Sequence, residues 1–82
     1  MKRRIVFARS AEKDLGNLSA DVRTRVGRAI RKLEDDAFPS AAKRLKGREE
    51  FRTRVGEYRV LYIVGPEVVN IVAVGHRREV YR

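Results

Sequence analysis

The sequence predicts an α+β domain, with two helices packed on one face of a four-stranded, mainly antiparallel sheet. Three observations predict it. The segment types run strand, helix, helix, strand, strand, strand, which segregates the helices to one side of a sheet. Val22, Val26, Ile30, Leu33 and Ala37 recur at spacings of three and four, so they form one apolar stripe on a helix. The second half carries three runs rich in Val, Ile, Tyr and Phe, separated by Gly56-Glu57 and Gly65-Pro66-Glu67, as a meander requires. A chain of 82 residues accommodates one domain, residues 1–82.

The elements follow in order. Residues 3 to 8, Arg-Arg-Ile-Val-Phe-Ala, form a short strand. Ser10 is the expected N-cap of a short helix from Ala11 to Leu15, stopped by Gly16-Asn17. Ser19 is the expected N-cap of the second helix, with Asp21 at the positive end of its dipole. That helix runs to about Asp36, and Phe38-Pro39 ends it. Arg23, Arg25, Arg28, Arg31 and Lys32 lie mostly off its apolar stripe, on a solvated basic face. A basic connector, residues 40 to 48, leads to the three strands Glu50 to Val55, Tyr58 to Val64 and Val68 to Val74. The first strand joins the meander at an edge or beside its last strand.

Charge narrows the partners. Lys and Arg total 20 against 11 Asp and Glu, a formal net charge of +9. Such a domain attracts polyanions, nucleic acid first, and an anionic membrane or acidic protein next. The chain has no cysteine, so disulfides and thiolate metal sites are excluded and a reducing cytoplasm fits. A single histidine without cysteine argues against zinc. The apolar run after Met1-Lys2-Arg3-Arg4 stops at Phe7, too short for a signal peptide or a membrane span.

Strand register then brings charges together. Gly56-Glu57 fits a two-residue hairpin loop with glycine first, as a type II′ turn prefers. Val55 pairs with Tyr58, Arg54 with Arg59 and Arg52 with Leu61. Directly opposite residues share a face. Arg52, Arg54 and Arg59 therefore meet on one face, and Phe51, Thr53, Val55, Tyr58, Val60, Tyr62 and Val64 cover the helices from the other. A two- or four-residue loop at Gly65-Pro66 puts Val72, Val74 and His76 on the arginine face; a three-residue loop with a bulge reverses that parity. Either way, Gly75-His76-Arg77-Arg78 returns toward Arg54 and Arg59. Like charges packed together destabilise a free sheet, and the arrangement makes sense if an anion occupies it. Pairing with Glu49, Glu50, Glu57 and Glu79 is the competing explanation.

A family resemblance rests on four stretches: Lys43-Arg44-Leu45-Lys46-Gly47, Phe51-Arg52-Thr53-Arg54-Val55, Gly56-Glu57-Tyr58-Arg59-Val60-Leu61-Tyr62 and Val74-Gly75-His76-Arg77-Arg78-Glu79-Val80-Tyr81. In order and spacing they resemble the RelE/ParE toxin superfamily, its RelE branch above all. The resemblance implies the toxin of a type II toxin–antitoxin system, a metal-independent endoribonuclease that cleaves mRNA in the ribosomal A site. It implies no cofactor. The 2′-OH attacks the adjacent phosphate and leaves a 2′,3′-cyclic phosphate and a 5′-OH. Catalytic roles fall to Arg59, Arg77, Tyr81 and Arg54. Arg52, Lys43, Arg44, Lys46, His76 and Arg78 bind RNA or phosphate. Arg52 and Arg54 stand where lysines are common in the family, which keeps the charge and changes its geometry. His76, an imidazole, has the chemistry of an acid or base, but the family pattern does not require it.

The implied partners are a RelB-like antitoxin with an acidic or amphipathic segment, the ribosome and mRNA. Operator DNA is met only through the antitoxin complex, no membrane is involved, and the cytoplasm is the expected location. Two other functions share this fold: a ParE-like inhibitor of DNA gyrase, and a nucleic-acid-binding module without catalysis.

Overall fold

The computed structural model describes residues 2–40, 42–47 and 49–76. Its elements are β1 (Arg4–Phe7), α1 (Arg9–Gly16), α2 (Ala20–Lys32), β2 (Lys43–Arg44), β3 (Phe51–Val55), β4 (Tyr58–Val64) and β5 (Val68–His76). The strands form one mixed sheet in the order β1-β5-β4-β3-β2, with β1 parallel to β5 and the other pairs antiparallel. The expected α+β class and the helix-covered sheet are present, and β1 sits at an edge beside the last strand. The sheet has five strands rather than four, because Lys43 and Arg44 of the connector pair with Arg52 and Phe51.

The helical stripe forms as its spacing requires. Val26, Ile30, Leu33 and Ala37 are buried against Val60, Tyr62, Val69, Ile71 and Val74, with Val22 packed at the margin. Ser19 caps α2, its hydroxyl accepting from the Val22 amide at 3.4 Å. The helix ends at Lys32 rather than Asp36. Its last carbonyls are taken up by tight turns through Leu33, Glu34 and Asp35.

Ser10 is not a cap. The helix α1 starts two residues earlier than expected, with Ala8 at its N-cap position and no side-chain cap there. The Ser10 hydroxyl instead donates to the Val72 carbonyl at 2.7 Å. Its role belongs to the sheet. The strand β1 pairs with β5 only as far as Ile71, beyond which the β5 edge needs other partners. Residues at and after the end of β1 supply them. The Ala8 amide donates to the Ile71 carbonyl, Ser10 reaches Val72, and the Asp14 carboxylate accepts from the Val74 amide at 3.0 Å.

A further cross-tie fixes the two helices. Arg23, expected to be merely solvated, donates to the Leu15 and Leu18 carbonyls at 3.0 and 2.8 Å. It thereby satisfies acceptors at the C-terminal end of α1 and places a cation where the helix dipole is negative.

Candidate functional site

The first hairpin forms in the expected register. Val55 pairs with Tyr58, Arg54 with Arg59, Thr53 with Val60 and Arg52 with Leu61. Gly56 has φ of 61°, in the left-handed region, and no other residue type among those described has positive φ. This is the glycine-first geometry that a type II′ turn demands. Thr53, only 5% exposed, faces the helices together with Val60 and Tyr62. Arg52, Arg54 and Arg59 consequently share the opposite face.

The added strand β2 enlarges that face. Lys43 lies opposite Arg52, so one row across the sheet reads Lys43, Arg52, Leu61, Ala73. The adjacent row reads Arg54, Arg59, Gly75. Leu61 is 4% exposed and stands outside the helix-packed core cluster, so it forms an apolar floor between the cationic positions. Gly75 has no side chain to crowd Arg59. Arg54 and Arg59, at directly opposite positions, have Cβ atoms roughly 5 Å apart. Arg59 is half-buried and Arg54 exposed, so one charge is held near the sheet and the other is open to an incoming ligand. Arg44 lies one position along, opposite Phe51 on the other face, and Lys46 is exposed in the turn that follows.

The second hairpin turns about Val64 and Val69, which enclose a four-residue loop. On its own this loop puts His76 among the arginines. A register shift between Leu61 and Tyr62 intervenes: Tyr62 pairs with Ile71 and Leu61 with Ala73, so Val72 is the extra residue of a bulge. The bulge reverses the parity beyond it. Val74 and His76 therefore sit on the face of Val60 and Tyr58, not with Arg54 and Arg59. The His76 ring meets Tyr58 edge-on, with centroids 5.7 Å apart. Arg77, Arg78 and Tyr81 lie outside the described residues.

Among the described residues the one strongly shifted acid belongs to the core. The Tyr62 phenol is pushed up to about 12, first by burial and then by the negative charge of Asp36. It donates to the Ala37 carbonyl at 2.8 Å, joining β4 to the end of the apolar stripe. Among the described residues no group of three or more His, Asp or Glu side chains is placed to hold a metal ion. No described helix is long and apolar enough to cross a membrane.

Comparison with known proteins places this arrangement. The family model of the ParE toxin of type II toxin–antitoxin systems matches residues 5–81. The chain belongs to this family, within the RelE/ParE toxin superfamily. An archaeal RelE–RelB complex from Pyrococcus horikoshii has a toxin-like fold matching 96% of this chain and 99% of its own, with a TM-score of 0.82 and 25% identity. The RelBE2 toxin–antitoxin complex from Mycobacterium tuberculosis matches at a TM-score of 0.81 and 26% identity, over 94% of this chain and 100% of its own. A chromosomal ParDE system from Pseudomonas aeruginosa shares the fold alone, at a TM-score of 0.79 and 10% identity over 92% of this chain and 96% of its own. No curated protein matches the sequence.

Proposed function

We propose that this toxin is a ribosome-dependent endoribonuclease of the RelE kind, which cuts mRNA in the A site without a metal. The observation that carries the proposal is the cross-strand pair Arg54–Arg59 beside Gly75, two guanidinium groups on the sheet face away from the helices. In the reaction the 2′-OH gives up its proton to water as its oxygen bonds to the adjacent phosphorus, the bond from phosphorus to the 5′-oxygen breaks, and that oxygen takes a proton from water and leaves as a 5′-OH. The transition state carries extra charge on its phosphoryl oxygens, and fixed guanidinium groups stabilise it without reorganising. Arg59 clamps those oxygens, with Arg54 and Arg52 assisting. Arg77 stabilises the leaving oxygen; its own proton is held too tightly for it to be a ready acid. Tyr81 stacks on a splayed base or orients the 2′-OH. Lys43, Lys46 and Arg78 hold the flanking backbone, whereas Arg44, expected among them, pairs with Phe51 on the helix-packed face and stays outside the site. His76 supports Tyr58 from the far face and stays outside the clamp.

A RelB-like antitoxin is the proposed partner, since the RelE neighbours include complexes with RelB. Its acidic or amphipathic segment covers the basic face. Identity favours this branch, with 25–26% to the two RelE-type chains against 10% to the ParE-type chain. The ParE description of the family model favours the second reading, a gyrase inhibitor.

Incubation with translating ribosomes separates the two. A-site cuts bearing 2′,3′-cyclic phosphate ends are expected, and Arg59→Ala and Arg77→Ala should each lower the cleavage rate by at least about 100-fold. Intact mRNA together with stalled gyrase would establish the inhibitor instead.

A further inference from the structure

The basic face of α2 is not spread evenly over the surface. Where β2 stops pairing, at Arg52, the edge of β3 from Thr53 to Val55 faces α2 across an open groove of about 410 Å³. Arg25, Arg28 and Lys32 line one side of it and Arg54 the other. No acid lines it. Asp21, 90% exposed, approaches Arg25 from one turn away at 4.0 Å, the limit of an ion pair. Among the described residues Arg28, Lys32 and Arg54 have no acid within that distance. Several cations thus border one groove with little internal neutralisation, at a cost in repulsion that an external anion would relieve.

We infer that this groove is a second binding track for a polynucleotide backbone, joined to the sheet face through Arg54. The shape favours a phosphodiester chain over a peptide. Arg25, Arg28 and Lys32 follow one another at spacings of three and four, so they lie along one side of α2 over roughly 10 Å. One such row of three cations can meet about three successive phosphates of a single strand. Among the described residues its apolar side chains are Ala29, Pro39 and Val55, none of them large, so an amphipathic peptide would find no deep pocket for an anchor. Arg54 pairs with Arg59 across the hairpin and also borders the groove, so one strand can pass from the sheet face over the β3 edge to α2. The track holds backbone and reads no bases.

The inference rests on the protein acting on RNA, and the test keeps the two apart. The probe is a single-stranded 2′-O-methyl oligoribonucleotide, which lacks the attacking hydroxyl and cannot be cut. Its affinity is measured from 50 to 200 mM salt for three proteins: the wild type, R25Q/R28Q/K32Q, and K2Q/R9Q/K13Q, which removes equal charge elsewhere. Glutamine keeps helix propensity close to that of arginine and lysine. The groove variant should show a log–log salt slope shallower than wild type by about 2, from three lost phosphate contacts at ~0.7 each. The control should shift by less than half of that.

Equal slopes in the two variants would overturn the track, as would a wild type that does not bind the probe. Loss of binding to an acidic peptide but not to the oligonucleotide would overturn it too, in favour of a protein occupant. If the groove variant melts at a different temperature, the single reversal R28E on the exposed helix face gives the same reading. Should the wild type cut no mRNA on ribosomes while the slope difference persists, the track stands and the nuclease reading falls. Ribosomal cleavage with indistinguishable slopes removes the track alone.

Discussion

Tyr62 shows how one hydroxyl can tie a small core to its connector. The side chain is fully buried, stacks on Phe51 at 5.9 Å and donates to the Ala37 carbonyl. Its folded pKa of about 12 exceeds the ordinary value near 10. Protonation is therefore favoured by folding, so this contribution is complete below pH ~10 and is lost as pH rises through ~12. Tyr62→Phe should cost about 1–2 kcal/mol at pH 7 by orphaning a buried carbonyl. It should also flatten the alkaline limb of stability, as urea unfolding at pH 7 and pH 11 would show. Arg23 teaches a related lesson. Its composition and position suggest a solvated helix face, yet its guanidinium closes the end of α1. Sequence spacing cannot reveal a carbonyl partner that the tertiary fold brings into reach.

At the scale of elements, legibility depended on how local the deciding interaction is. Period-two alternation and a two-residue turn at Gly56-Glu57 together set the pairing of Arg54 with Arg59, so that face could be read from residues alone. Gly56→Ala places a Cβ on a left-handed backbone and should cost about 1–2 kcal/mol. In a domain of this size each kcal/mol lowers the melting temperature by roughly 4–8 °C, which calorimetry resolves. The second hairpin was open to two parities because its bulge lies at Val72, inside the run Val68 to Val74, where no glycine or proline marks it. The strand β2 has only two residues, too few to show a period. Ser10 has the composition of a cap, but its hydroxyl serves a carbonyl 62 residues away. Asp14 belongs with it at the β5 edge. Asp14→Ala strands the Val74 amide and should destabilise by about 1–3 kcal/mol, measured by denaturant midpoint at constant m.

For the whole molecule, the balance of charge links stability to function. Arg54 faces Arg59 directly, and like charges so placed weaken the free sheet. An anion that binds the folded state alone should raise its stability by mass action. Inorganic phosphate is therefore expected to raise the melting temperature of the wild type. In R54Q/R59Q that rise should shrink. A melting temperature equally responsive in both proteins would mean that phosphate acts as a general salt. The same net charge of +9 supports rapid, salt-sensitive encounter with a polyanion.

The account depends above all on Arg54 and Arg59 gripping one phosphate together. A double-mutant cycle of Arg54→Gln and Arg59→Gln, read as affinity for non-cleavable single-stranded RNA at fixed salt, tests this directly. The predicted coupling is about 1 kcal/mol or more, because either guanidinium alone leaves the shared phosphate half-held. Strictly additive losses would contradict it, showing two cations that bind the chain independently rather than one site.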